Sequence, residues 1–221
     1  MTGYWQSADE DEAMQNEHVF VWDTMLDSVD TDLAAKRVLD IGCNRGGFLR
    51  LLCDRTEIAE GFGYDPASEA VADARRLAGE RPLHFETAAT VPAGWDGFDV
   101  AFSHEALYLI HDIPTHASDV FRALAPGASY YAVMGVHTGS PVLSDWHAAH
   151  SAELNMPPLN DIDDVVASFE SAGFTAAASR LKVGFIPATG HTPRLLDWLE
   201  YYNETKLLLR FTRPLPSMQP H

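Results

Sequence analysis

The chain has 221 residues, a length at which one hydrophobic core can close without disulfides or metals, so a single globular domain is expected. Its 32 acidic residues against 15 basic ones leave a formal charge of -17, which opposes a sequence-independent hold on phosphate backbones and argues against a nucleic-acid partner. Hydrophobic residues at 46% and charged residues at 21%, with no apolar run near the roughly 20 residues that cross a bilayer, predict a soluble protein without a membrane partner.

The opening MTGYWQSADEDE has neither the basic nor the apolar region of a secretory leader, and a cytoplasmic location is expected. From Glu10 to Val29, Met14, Val21, Trp22, Met25 and Val29 recur at near-helical intervals with His18 on the same face, predicting an amphipathic helix. Residues 1–36 therefore read as an N-terminal helical cap segment, ahead of a main domain over 37–221. That domain opens with RVLDIG, an apolar run ended by glycine, as expected of a buried parallel strand. Helix-like and strand-like segments then alternate: FLRLLCDR, EGFGYD, ASEAVADARRLA, PLHFET, FDVAFS, SDVFRALA and ASYYAVMGV. Such a series predicts an α/β fold with an open, mostly parallel sheet, helices on both faces, and ligands at the carboxyl ends of the strands. Beyond Gly139 the pattern gives a helix IDDVVASFESAG, strand-like runs FTAAASRL and KVGFIPA, and a helix from about Pro193 to Arg210. Cys43 and Cys53, the only cysteines, are too few for a disulfide framework and read as small buried residues.

The densest chemical signal is Val38-Leu39-Asp40-Ile41-Gly42-Cys43-Asn44-Arg45-Gly46-Gly47, a strand, an acidic residue and a glycine loop entering a helix. Glycines let backbone approach a ligand closely, and the helix start presents unpaired N–H groups. The spacing departs from the G-x-G-x-x-G of dinucleotide sites, which disfavours a nicotinamide-dependent oxidoreductase. Asp65 ends the next strand, where a carboxylate can accept from a ribose diol, although Asp65-Pro66 also suits a turn or helix cap.

These residues resemble motif I and the following acidic motif of class I S-adenosylmethionine-dependent methyltransferases, and the resemblance runs from about Val38 to Gly135. WDGFDVAFSHEALYLIHD resembles the family's fourth-strand motif, and FRALAPGASYYAVMG its turn into the fifth strand, with Ala128 in place of a second glycine. The resemblance implies a three-layer, Rossmann-like, mostly parallel seven-stranded sheet and S-adenosyl-L-methionine as cofactor, released as S-adenosyl-L-homocysteine. It implies that Asp40 lies near the methionine amino group, that Gly42, Cys43, Asn44 and Gly46 line methionine and ribose, and that Asp65 binds the ribose. Pro66 would flank the adenine. Thr87 and Ala88 stand where many members have Asp-Ala reading the adenine edge, leaving the Thr87 hydroxyl and the Ala88 N–H for polar contacts. Ser103 and His104 would face the methyl group.

The implied activity is methyl transfer to an O or N atom of a small-molecule acceptor, the alternative being a non-catalytic S-adenosylmethionine-binding module. His104 and His137, each after a strand, are the candidate bases. Tyr4, Trp5, Tyr108 and Trp146 are the candidate acceptor-binding residues. His147-x-x-His150 with Glu153 has a metal-like spacing, but the paired acidic residues of magnesium-dependent relatives are absent, and no metal is expected. The protein is expected to be a monomer or homodimer.

Overall fold

Short apolar runs separated by amphipathic helices fold as strands buried on both faces, because each right-handed crossover lays its helix over the sheet. In the computed structural model, which describes residues 8–153, 155–189 and 193–216, seven such strands form one sheet. They are β1 (Arg37–Ile41), β2 (Glu60–Asp65), β3 (Leu83–Thr87), β4 (Phe98–His104), β5 (Leu124–Met134), β6 (Thr175–Arg180) and β7 (Leu207–Thr212), in the order β3-β2-β1-β4-β5-β7-β6. The first five are parallel, and β7 runs antiparallel to both β5 and β6. The order reverses between β1 and β4, which opens a crevice at their carboxyl ends.

The helices are α1 (Ala8–Ser28), α2 (Gly47–Arg55), α3 (Ser68–Ala78), α4 (Ile113–Ala123), α5 (Pro141–His150), α6 (Ile162–Ser171) and α7 (Leu195–Glu200). Strand alternation sorts the core into two layers. Leu39, Ile41, Ala101 and Tyr130 pack with Val120 of α4 and Phe169 of α6 on one face. Val38, Val100, Phe102 and Val133 pack on the other with Val21 and Met25 of α1, Leu49 and Leu52 of α2 and Val71 of α3.

Helix α1 starts and ends within two residues of its expected bounds, and its Val21, Trp22 and Met25 are buried. It is tied down past its C-terminus, where the Thr31 and Tyr131 hydroxyls meet at 2.8 Å and Asp30 accepts from Tyr131 and Arg210.

The C-terminal third departs from expectation. KVGFIPA forms no strand, and the predicted helix to Arg210 stops at Glu200, followed by a π-turn (Tyr201–Thr205) and then β7. LLLRFT fills the slot between β5 and β6, and pairing on both edges outweighs its helix-compatible composition.

Candidate active site

The glycine loop leaves β1 at Gly42 (φ 75°) and enters α2 at Gly46 (φ 71°), both in the left-handed region that favours glycine. Space enforces the same choice, since a Cβ on Gly42 would lie 2.9 Å from the Ala106 Cβ and one on Gly46 2.6 Å from the Phe85 ring. The Gly42 and Cys43 amides donate to the Tyr64 carbonyl at 3.0 and 3.1 Å, which pins the loop to β2.

Asp65 braces the loop from the other side. Its carboxylate accepts from the Asn44 amide at 3.1 Å and from the Ala67 amide at 2.9 Å, so it is a turn residue and a bridge between the glycine loop and the start of α3. A carboxylate accepts about four hydrogen bonds, so capacity remains for a ligand. Burial pushes its pKa up, against the two amides.

Asp40 lies deeper, 4% exposed, and its Oδ2 has no partner among the described residues. Burial first, then the like charge of Asp65, pushes its carboxyl up to about 8. An unpartnered buried acceptor is costly and marks a place suited to a cationic donor.

Where the resemblance puts the adenine, Thr87 and Pro66 are exposed. The Ala88 amide donates to the Asp65 carbonyl at 3.1 Å. Cys43 is buried, with its thiol directed to the Asn44 carbonyl.

Along β4 the side chains alternate between the two faces. Ser103 is fully buried and shares a 2.6 Å hydrogen bond with the Tyr130 hydroxyl. His104 points to the face of α1. Its ring lies 5.1 Å from His18 and 6.2 Å from Trp22, both on α1, and its Nε2 and the Trp22 Nε1 are sheltered and unpartnered among the described residues. Burial, then Lys206 and His18, hold the His104 pKa well below its ordinary value.

His137 is held by backbone on both sides of its ring. The Gly139 amide donates to its Nδ1 at 3.1 Å, which leaves Nε2 as the protonated nitrogen donating to the Thr205 carbonyl at 2.8 Å. Both nitrogens are spent on backbone.

Sequence reasoning passed over the group beside His104. Glu105 sits in the left-handed region (φ 53°), and its carboxylate accepts from the Gly135 amide at 3.0 Å, from the Tyr201 hydroxyl at 3.1 Å and from the Lys206 ammonium. Lys206 is 1% exposed, with its ammonium 4.9 and 5.5 Å from the ring centres of Tyr201 and Tyr202. Burial alone would raise the Glu105 pKa, but Lys206 and the hydrogen bonds outweigh it and the carboxyl stays ionised. The available signals were an acidic residue directly after a buried strand and a lone lysine before an apolar run.

Tyr108 and Trp146 pack edge to face at 6.3 Å, and Trp146 stacks on His150 at 5.3 Å. Tyr4 and Trp5 lie outside the described residues. His147 and His150 bond to the Pro157 and Trp146 carbonyls, and no group of three metal-ligating side chains occurs among the described residues. A cavity of about 160 Å³ opens between α5 and α7, lined by Asp145, Arg194, Asp197, Glu200 and Tyr201.

A family model described as a methyltransferase domain matches residues 15–178. No curated protein matches the chain. Among solved structures, a chain from the complex between the Haloferax volcanii Trm112 methyltransferase activator and a methyltransferase superposes with a TM-score of 0.82 at 24% identity, covering 95% of this chain and 96% of that one. An S-adenosylmethionine-dependent methyltransferase from Mesorhizobium loti gives 0.67 at 18% identity, covering 88% and 98%. Geranyl diphosphate C-methyltransferase from Streptomyces coelicolor A3(2), in complex with Mg2+, geranyl diphosphate and S-adenosyl-L-homocysteine, gives 0.68 at 15% identity, covering 87% and 77%.

Proposed function

The chain belongs to the methyltransferase-domain family and is a class I S-adenosylmethionine-dependent methyltransferase, and from this membership we propose that it methylates an oxygen or nitrogen atom of a small-molecule acceptor. The observation that carries the site assignment is Asp40, a buried carboxyl with a free oxygen at the head of a glycine loop. The methionine ammonium of the cofactor supplies the donor and the charge that this oxygen lacks. Asp65 accepts from the ribose diol, and Gly42, Cys43, Asn44 and Gly46 form the floor of the ligand. The cofactor, when bound, supplies an electrophilic sulfonium methyl. What remains for the chain is to hold the acceptor in line, exclude water and, where the acceptor carries a proton, receive it. His104 is the group for that last task, since its Nε2 is uncommitted and its imidazole is neutral at pH 7. Helix α1 and the segment that follows it act as a cap over this site, and Tyr108 with Trp146 contributes to the acceptor wall.

The test begins with S-adenosyl-L-homocysteine binding by titration calorimetry. Wild type binds, and Asp65→Ala loses about 1.5–3 kcal/mol, the worth of a charge-assisted hydrogen bond. An unchanged affinity in a mutant of native circular dichroism would reduce Asp65 to a turn residue. Release of S-adenosyl-L-homocysteine in a screen of phenols, amines and carboxylic acids then reads the acceptor class.

A further inference from the structure

Two sheltered nitrogens belong to neighbouring rings, the indole Nε1 of Trp22 on α1 and Nε2 of His104 at the end of β4, and neither has a partner among the described residues. Trp22 is 7% exposed, so its N–H is removed from water without compensation. The ring centroids lie 6.2 Å apart at 84°, an edge-to-face contact that sets both nitrogens in one buried neighbourhood. We propose that Trp22 and His104 form a two-point clamp for a phenolic hydroxyl, which makes the acceptor a phenol. This rests on the methyltransferase reading and narrows it.

Lone pairs decide between oxygen and nitrogen. An indole N–H only donates, and His104 Nε2 is the acceptor in the tautomer protonated at Nδ1. A hydroxyl oxygen has two lone pairs, so it accepts from Trp22 with one and attacks with the other while its proton points to His104. A neutral amine has a single lone pair. If Trp22 engages it, none is left to attack, and if it attacks, the indole stays unpaired.

The surroundings decide between phenol and alkanol. Trp22 meets Phe48 at 6.2 Å, Phe48 meets Phe102 at 5.1 Å, and Phe102 stacks on Tyr131 at 5.7 Å, so the wall beside the clamp is aromatic. His104 is also a weak base, because burial and the nearby Lys206 and His18 disfavour its cation. A weak base suits a hydroxyl of pKa about 10 far better than an aliphatic alcohol. The step balances without a further reactant. The phenol oxygen forms the new O–CH3 bond, the sulfonium S–CH3 bond breaks with its electron pair left on sulfur, and the phenolic proton passes to His104 Nε2. Trp22 is itself carried by α1, so the clamp forms only with that helix seated beside His104.

The experiment uses 15N-labelled full-length protein saturated with S-adenosyl-L-homocysteine and titrated with phenol or with aniline, which is nearly isosteric. One of the five tryptophan indole resonances, assigned by its absence in Trp22→Phe, is expected to move downfield with phenol and to stay in place with aniline. Trp22→Phe keeps the aromatic packing. It should bind S-adenosyl-L-homocysteine as wild type does but phenol at least tenfold more weakly, and wild type should convert phenol to anisole. If S-adenosyl-L-homocysteine binds while phenol leaves the Trp22 resonance unmoved, or Trp22→Phe retains its phenol affinity, or aniline is methylated in preference to phenol, the clamp is refuted and the methyltransferase reading stands. If wild type fails to bind S-adenosyl-L-homocysteine, the reading itself falls and the clamp with it.

Discussion

Asp40 couples cofactor binding to protons. Its carboxyl would ionise near 3.8 in an unfolded chain but holds its proton up to about 8 in the fold. Between those values the native state binds more protons than the unfolded one, so this residue makes the unliganded protein less stable as pH rises from about 4 to 8. A ligand ammonium favours the ionised form, so binding at pH 7 should release close to one proton. Calorimetric titration of S-adenosyl-L-homocysteine at pH 7 should then show an enthalpy that differs between phosphate and Tris by nearly one buffer ionisation heat. Asp40→Asn should abolish the difference, and a wild-type enthalpy independent of buffer would remove Asp40 from the ligand. His104 shifts the opposite way. It stays neutral where a free imidazole near 6.5 would be charged, so it destabilises the fold as pH falls below that value, and its usable form spans the neutral range. His104→Ala should keep S-adenosyl-L-homocysteine affinity and lose about 10²-fold or more in kcat, the low end for a general base. A loss confined to acceptor KM would make it an orienting group instead.

The elements that hold these residues differ in how local their causes are. The glycine loop, Asp40 and Asp65 fall within one strand–helix–strand unit, and their meeting around one loop follows from the spacing between β1 and the end of β2, which is why that arrangement was legible in the sequence. The latch of Glu105, Gly135, Tyr201 and Lys206 has no such spacing, since Glu105 and Lys206 are 101 positions apart and meet only because β7 is inserted beside β5. The His137 contacts were hidden for the same reason. Its place after β5 was visible, but its partner Thr205 lies in the π-turn that took the place of an expected helix. The bonds of the Ala88 amide and the Ser103 hydroxyl lie at a finer level, which a strand pattern does not carry. The latch is testable at Gly135, where an added Cβ would collide with the Tyr201 hydroxyl and lie 2.8 Å from the Glu105 carboxylate. Gly135→Ala should cost about 1–3 kcal/mol of stability, as overpacking does, and lower turnover more than cofactor affinity because the displaced groups adjoin His104. A thermal midpoint and kcat both equal to wild type would show that the latch yields without consequence.

Across the whole molecule the charge is unevenly spread. Residues 1–35 hold nine acidic side chains and no Lys or Arg, and no Lys or Arg lies between Arg122 and Arg180, a stretch that includes α5 and α6. With the acceptor at His104 beside α1, as proposed, it meets the field of this acidic segment as well as the net -17. That field attracts the cofactor, whose sulfonium, ammonium and carboxylate sum to one positive charge. It leaves a neutral phenol unaffected and repels an anionic one. Salt shortens the reach of the field, from a Debye length of about 30 Å at 0.01 M to about 8 Å at 0.15 M. Over that range kcat/KM for phenol itself should be flat. For 4-hydroxyphenyl phosphate it should start lower and rise about threefold or more as the repulsion is screened. The apparent affinity for S-adenosyl-L-methionine should fall over the same range. The ratio of the two acceptors at several ionic strengths, at fixed saturating cofactor, isolates the electrostatic part. A ratio that ignores salt would mean that the acidic surface serves solubility alone, and a preference for the phosphorylated acceptor at low salt would place a cation free of a carboxylate partner at the acceptor site.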